Sequence, residues 1–195
     1  LLSELLIQQN EFSESISLLK ALYCHSKEES ENIITLLESV LKAYPNQLLA
    51  LMLLQDIHFD NNNIETSLDY INTIIENTPE QSFSLKERLE NIIQTHPFFN
   101  DTALFLLAKI SFHHNEKDNV LEFCKQLCNT SLHLESTLLH VQLLNQENKP
   151  IDAFSLLSTL RKKNPYHWNI HKMTQDTHYL LCHYLIQQNK QMYHL

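Results

Sequence analysis

The sequence predicts an all-α fold: a right-handed helical-repeat solenoid of antiparallel helix pairs, about eleven helices in all. Three observations predict it. The 195 residues include no glycine. The prolines fall at repeat-like intervals, with 34 residues from Pro45 to Pro79 and 68, twice that, from Pro97 to Pro165. Between these stops, apolar segments of helical length alternate with short polar turns.

The missing glycine constrains chemistry as well as fold. Glycine supplies left-handed turns and lets backbone approach phosphate closely. Without it there is no P-loop, no dinucleotide fingerprint and no nucleophile elbow. Hairpin-rich β folds are disfavoured too, because their tight turns need positive φ. The turns must be made by Asn, Asp, His and Pro, and among non-glycine residues Asn enters the left-handed region most readily. The chain has eighteen Asn.

Taken in order, Leu6-Ile-Gln-Gln-Asn10 reads as the end of a first helix and the turn after it, and the same text recurs at Leu185-Ile-Gln-Gln-Asn189. Glu28–Ala43 reads as one helix stopped by Tyr44-Pro45. Leu48–Phe59, Asp60–Asn63 and Ile64–Asn77 read as helix, turn and helix, closed by Pro79. Ser84–His96 is a single helix stopped at Pro97, of undecided parity like Glu28–Ala43. Asp101–His114 with Asp118–Asn129, and Glu135–Asn145 with Pro150–Lys163, form two further pairs. Pro150 suits a first helical position, where its missing N–H costs little. The second helices carry a 3.6-residue apolar stripe, as in Ile64, Leu68, Ile71 and Ile75. The first helices are apolar nearly all round, as in Ala103-Leu-Phe-Leu-Leu-Ala108, which fits an inner layer covered on several sides. After Pro165 the stretch to Met173 reads as helix or as loop, the latter with Thr174 as N-cap of the last helix. The whole, residues 1–195, is expected to be one repeat domain and a piece of a longer chain, because a stack cut within a pair exposes apolar surface.

Net charge is −9. Residues 1–96 hold fifteen acids and five bases, residues 97–195 eight acids and nine bases. There is no basic footprint for nucleic acid. The acidic N-terminal half favours a basic partner, or is simply a solvated face. No apolar run approaches the roughly 18 residues of a membrane span, so no membrane insertion is expected. The opening Leu-Leu-Ser-Glu does not read as a secretory leader, and the four cysteines are too sparse for a disulfide framework, so the expected location is cytoplasmic.

Two His/Cys sets invite a metal reading. His167, His171, His178 and Cys182 share one side of a continuous helix, but they spread over about 22 Å of its axis and cannot converge on one ion. Cys124 and Cys128 are four apart, near His113, His114 and His133; packing as small hydrophobes is the simpler account. Nothing marks an oriented Cys–His dyad or an oxyanion hole. Glu28, Glu29 and Glu31 suit a helix start, and Asp60-Asn-Asn-Asn63 lacks the ligand spacing of a calcium loop. No cofactor, metal or catalytic residue is expected.

With these units in place, the chain resembles the tetratricopeptide repeat family. The resemblance lies in the 34-residue period, the closing prolines, and the segments Gln9-Asn-Glu-Phe-Ser-Glu-Ser-Ile-Ser-Leu-Leu19 and Lys149-Pro-Ile-Asp-Ala-Phe-Ser-Leu-Leu157. Ala153 and Ser67 fall at the family's small position in second helices, and Ala108 at the one in first helices, where Gln55 and Val141 depart from it. The family's usual glycine is missing throughout. The resemblance implies a concave surface that binds peptides or protein segments without catalysis.

The expected function is therefore a non-enzymatic interaction scaffold or adaptor. The alternative is an architectural subunit packed permanently into a large assembly; a metal-binding or enzymatic protein is the third reading. Candidate partner contacts are Gln55, His58, Lys109, His113 and His140, polar residues on otherwise apolar first helices. A polar group buried there without a partner is costly, so exposure toward a protein or peptide partner is expected. Hydrogen bonding inside the stack is the competing account.

Overall fold

The computed structural model describes residues 12–25 and 30–192. Among them there is helix and turn but no strand, with ten α-helices. These are α1 (Phe12–His25), α2 (Ser30–Ala43), α3 (Leu48–Asp60), α4 (Ile64–Asn77), α5 (Lys86–Thr95), α6 (Asn100–His113), α7 (Lys117–Gln126), α8 (His133–Gln146), α9 (Pro150–Lys163) and α10 (Trp168–Met192). Short 3₁₀ turns occupy Pro79–Leu85, Pro97–Phe99 and Leu127–Asn129. The chain divides into two compact units, one running to Leu106 and the other from Leu107, with the division inside α6.

Asparagine makes the turns within pairs, as a glycine-free sequence requires. The described residues with positive φ are Asn62, Asn115 and Asn148, at 61°, 60° and 56°. Each closes a Schellman motif. Asn63 N–H donates to the His58 carbonyl and Asn62 N–H to that of Phe59. The same two bonds recur as Glu116 to Ser111 with Asn115 to Phe112, and as Lys149 to Leu144 with Asn148 to Asn145. The orphan carbonyls of α3, α6 and α8 are thereby satisfied in one way.

Buried residues recur at common spacings from these turns. Twelve residues before each left-handed Asn stands a small buried residue: Ala50, Ala103 and Ser136. Seven before stand Gln55, Ala108 and Val141, and five after stand Ser67, Val120 and Ala153, all buried. The contacts at the second-helix position are close. Ser67 Oγ donates to the Gln55 carbonyl of α3 at 3.0 Å, and Ala153 is wholly buried in a cluster with Leu138, Val141 and Leu157. Asn115 and Asn148 are 33 residues apart, near the proline period. Asn62 and Asn115 are 53 apart, and the excess is taken up by the Pro79–Leu85 turn and α5. That accounts for the odd interval at Pro97: the Pro79–Leu85 turn and α5 lie between α4 and α6.

In the first unit α1 packs on α2 and α3, α2 on α3, and α3 on α4. Its core includes Leu19, Leu37, Leu54 and Ile57, with Tyr23 at the edge donating to Asp60 Oδ2 at 3.0 Å. In the second unit α7 packs on α8, α8 on α9, and α9 on α10, around Val141, Leu157 and Ile170. Burying such aliphatic side chains contributes about 1.5–3 kcal/mol each. Among the described residues no helix is long and apolar enough to cross a membrane.

One open alternative closes and two sequence expectations change. The stretch from Trp168 is helix, not loop, and Thr174 lies inside α10 with its hydroxyl on the Ile170 carbonyl at 2.6 Å. The turn expected at Gln187–Asn189 is absent, because α10 runs on to Met192 through Gln, Lys and Met, all good helix formers. Helix α7 stops at Gln126, and Leu127–Asn129 tightens into a 3₁₀ turn. The turn expected at Leu6–Asn10 lies outside the described residues, as do the acidic residues Glu28 and Glu29.

Candidate functional site

The first unit carries an open groove built by α1, α3 and the start of α5. Residues 49, 52, 53 and 56 follow the i, i+3, i+4, i+7 spacing that puts side chains on one helix face, so Leu49, Met52, Leu53 and Asp56 form one wall. Ile16, Ser17 and Lys20 of α1 face them, and Ser84, Leu85 and Arg88 close the end. The hollow they enclose measures about 250 Å³. Its lining mixes apolar side chains, among them Leu49, Met52 and Leu85, with polar and charged ones, and Leu49 is 42% exposed. A second, polar hollow of about 490 Å³ adjoins it along α5, sharing Ser84 and Arg88 and adding Glu87, Glu90, Asn91 and Gln94.

Asp56 organises this groove. It accepts from the Arg88 guanidinium and from Gln55 Nε2, and Arg88 also lies over the Phe59 ring, 4.3 Å from its centre. The pair is partly exposed, so its Coulombic gain is modest; the Phe59 stack adds a cation–π contact. Because the Gln55 amide turns its NH₂ to a carboxylate, its oxygen faces elsewhere. Gln55 Oε1 is buried and has no hydrogen-bond partner among the described residues.

The expected contact residues fall in both units. Gln55 is corrected: it is 3% exposed, not open to solvent, because α3 is enclosed on several sides. It nonetheless lines the hollow. His58 is half-buried and stacked on Tyr70, with ring centres 5.6 Å apart. Its ring nitrogens are buried and have no hydrogen-bond partner among the described residues. Burial pushes its pKa down, partly offset by Glu38 on α2. Burial, then Glu38 and Asp69, push the Tyr70 hydroxyl up. In the second unit Lys109 is half-buried and His113 exposed, its ring edge-on to Phe112 at 5.8 Å. His140 is half-buried, and burial lowers its pKa against the pull of Glu147. Glu147 itself is held down to about 2 by Lys117 and Lys149, each at 2.8 Å.

Among the described residues no three His, Cys, Asp or Glu side chains are grouped to hold a metal. His178 Nδ1 lies 3.8 Å from Cys182 Sγ, but His171 Nε2 is turned to the Pro165 carbonyl at 2.6 Å. Cys124 is buried with its thiol on the Ser136 carbonyl, and burial raises its pKa to about 11, far from a reactive thiolate. Sequence reasoning missed Leu49, Asp56 and Arg88. The i, i+3, i+4, i+7 spacing of Leu49, Met52, Leu53 and Asp56 was a readable signal, but the α1 and α5 sides of the groove come from residues distant in sequence.

Comparison of the chain with protein-family models, with curated proteins and with solved structures finds no match.

Proposed function

We propose that this protein is a non-enzymatic interaction scaffold of tetratricopeptide-like helix pairs, binding a protein segment in the first-unit groove. The right-handed winding of successive pairs and a cytoplasmic location belong to the same proposal. The observation that carries it is the open hollow between α1, α3 and α5, with Leu49 and Met52 in its lining and polar residues of α5 beside it. A groove with an apolar centre and a polar rim is the usual anatomy of a recognition surface. A direct test compares proteins captured by the parent chain and by Leu49→Asp, with helicity and melting temperature measured for both. The proposal expects specific captures that disappear in the variant while the melt is kept. Identical captures would remove the groove from the account.

The architectural reading is favoured by a separate observation. The second unit exposes Tyr166, Trp168, Tyr179, Leu185 and Ile186, with Tyr166 95% and Trp168 73% exposed. Contiguous exposed apolar patches mark interaction surfaces, and Tyr179 and Ile186 stand seven apart on α10, on one face. A partner that co-purifies at fixed stoichiometry through high salt, and is lost on Trp168→Ser with Ile186→Ser, would favour permanent assembly.

A further inference from the structure

The second unit gathers cations and aromatic rings at one turn. Residues 153–175 contain no Asp or Glu, and four of the nine bases of residues 97–195 fall there: Arg161, Lys162, Lys163 and Lys172. All four are exposed, and none has an ion-pair partner among the described residues. The dipole of α9 accounts for cations in its last turn. It does not account for the start of α10, where a dipole favours an acid, the first turn holds none, and Lys172 follows in the second. Between the two helices project Tyr166, 95% exposed, and Trp168, 73% exposed. Trp168, Lys172 and Tyr179 share a face of α10, at spacings of four and seven. The turn is held in shape from within. His167 N–H donates to the Asn164 carbonyl at 3.3 Å. His171 Nε2 lies 2.6 Å from the Pro165 carbonyl, which can only accept, so that nitrogen carries the proton. Ile170 is wholly buried in the cluster with Leu157 and Leu160.

We propose that the α9–α10 turn docks the protein on the surface of an anionic membrane. Tyr166 and Trp168 sit at headgroup level, and Arg161, Lys162, Lys163 and Lys172 face the lipid phosphates and carboxylates. Tyr and Trp settle at a bilayer interface because one edge is polar and the body apolar, and Lys and Arg beside them meet the negative leaflet. Projecting rings suit a deformable surface, whereas stacking on a base or seating in a peptide complex needs a recess around them. With a net charge of −9, the rest of the chain is repelled from such a surface, so attachment has one orientation. No helix need cross the bilayer. The proposal stands apart from the first-unit groove.

Trp168 is the one tryptophan of the sequence, so its emission reports on this turn alone. The whole chain is mixed at low salt with phosphatidylcholine vesicles, with and without phosphatidylserine, and attachment is read by co-flotation and by that emission. The expected result is flotation with the phosphatidylserine vesicles only. Trp168 emission should move to the blue and be quenched by brominated acyl chains, and attachment should fall as salt rises. Arg161→Gln, Lys162→Gln and Lys163→Gln together should weaken partitioning about a hundredfold, at about fivefold for each cation. This variant should melt with the parent, because the three side chains are exposed. Equal flotation with both kinds of vesicle, an unshifted Trp168 emission, or a triple variant that binds like the parent overturns the proposal. So does a Trp168 shift on polyglutamate or single-stranded RNA that vesicles fail to produce, which would assign the turn to an acidic protein or a nucleic acid.

Discussion

At the scale of single residues, the fold depends on a few positions that each have a nameable physical requirement. Asn62 and Asn148 hold positive φ, which costs a Cβ-bearing residue without a local hydrogen bond about 1–2 kcal/mol. Asn62→Ala should lower the urea midpoint by that order, and Asn62→Gly should stay close to the parent; equal losses in both would mean the side chain, not the dihedral, matters. Ala153 is wholly buried between α8 and α9, so Ala153→Leu should overpack and destabilise by about 1–3 kcal/mol. An unchanged midpoint would misplace the repeat register. His58 gives a pH signature. Its folded pKa lies below 6.5, so the neutral ring is the form the fold favours. That stability is fully present above the unfolded value and is lost as pH falls from 6.5 through the lowered folded value. Glu147 acts in the same direction lower down, with its contribution lost as pH falls from 4.5 toward about 2. His58→Phe keeps a ring against Tyr70 and cannot titrate, so urea midpoints should change less between about pH 7 and pH 5 than in the parent. An identical slope would show that His58 does not report on acid stability.

At the scale of elements, the boundaries most legible in the sequence were those with a local chemical stop. Proline marked the ends of α2, α4 and α9, and Pro150 the start of α9. The apolar stripe of α4 is buried as its spacing implied. Where no such stop exists the reading drifted: α10 ran through its second Ile-Gln-Gln-Asn, and α7 tightened into a 3₁₀ turn. The candidate site was less legible, because a polar residue on an apolar helix does not say whether it faces solvent or the next helix. Gln55 shows the difficulty. Its sequence setting argued for exposure, and the structure buries it with one amide group held by Asp56. The residue that closes the groove, Arg88, sits on α5, outside the regular period, and meets Asp56 32 positions earlier. Arg88→Met should therefore loosen α5 against α3 more than it lowers global stability. Hydrogen exchange should rise in α5 with little change in α4; protection lost equally across the first unit would show that α5 is part of one cooperative core.

At the scale of the molecule, a glycine-free, proline-punctuated sequence yields helix pairs whose turns and buried small residues repeat. Far-ultraviolet circular dichroism should show a helical spectrum, and strand content above about 15% would contradict the fold. The chain's role, on this account, comes from the surface that α1, α3 and α5 share. The most direct measurement is a nuclear magnetic resonance titration of the isotopically labelled chain with a protein segment that it captures. The account predicts shift changes concentrated at residues 16–20, 49–56 and 84–94, with the Gln55 side-chain amide among the most affected. Changes concentrated instead on α2 and α4 would contradict it, and would place binding on the second helices.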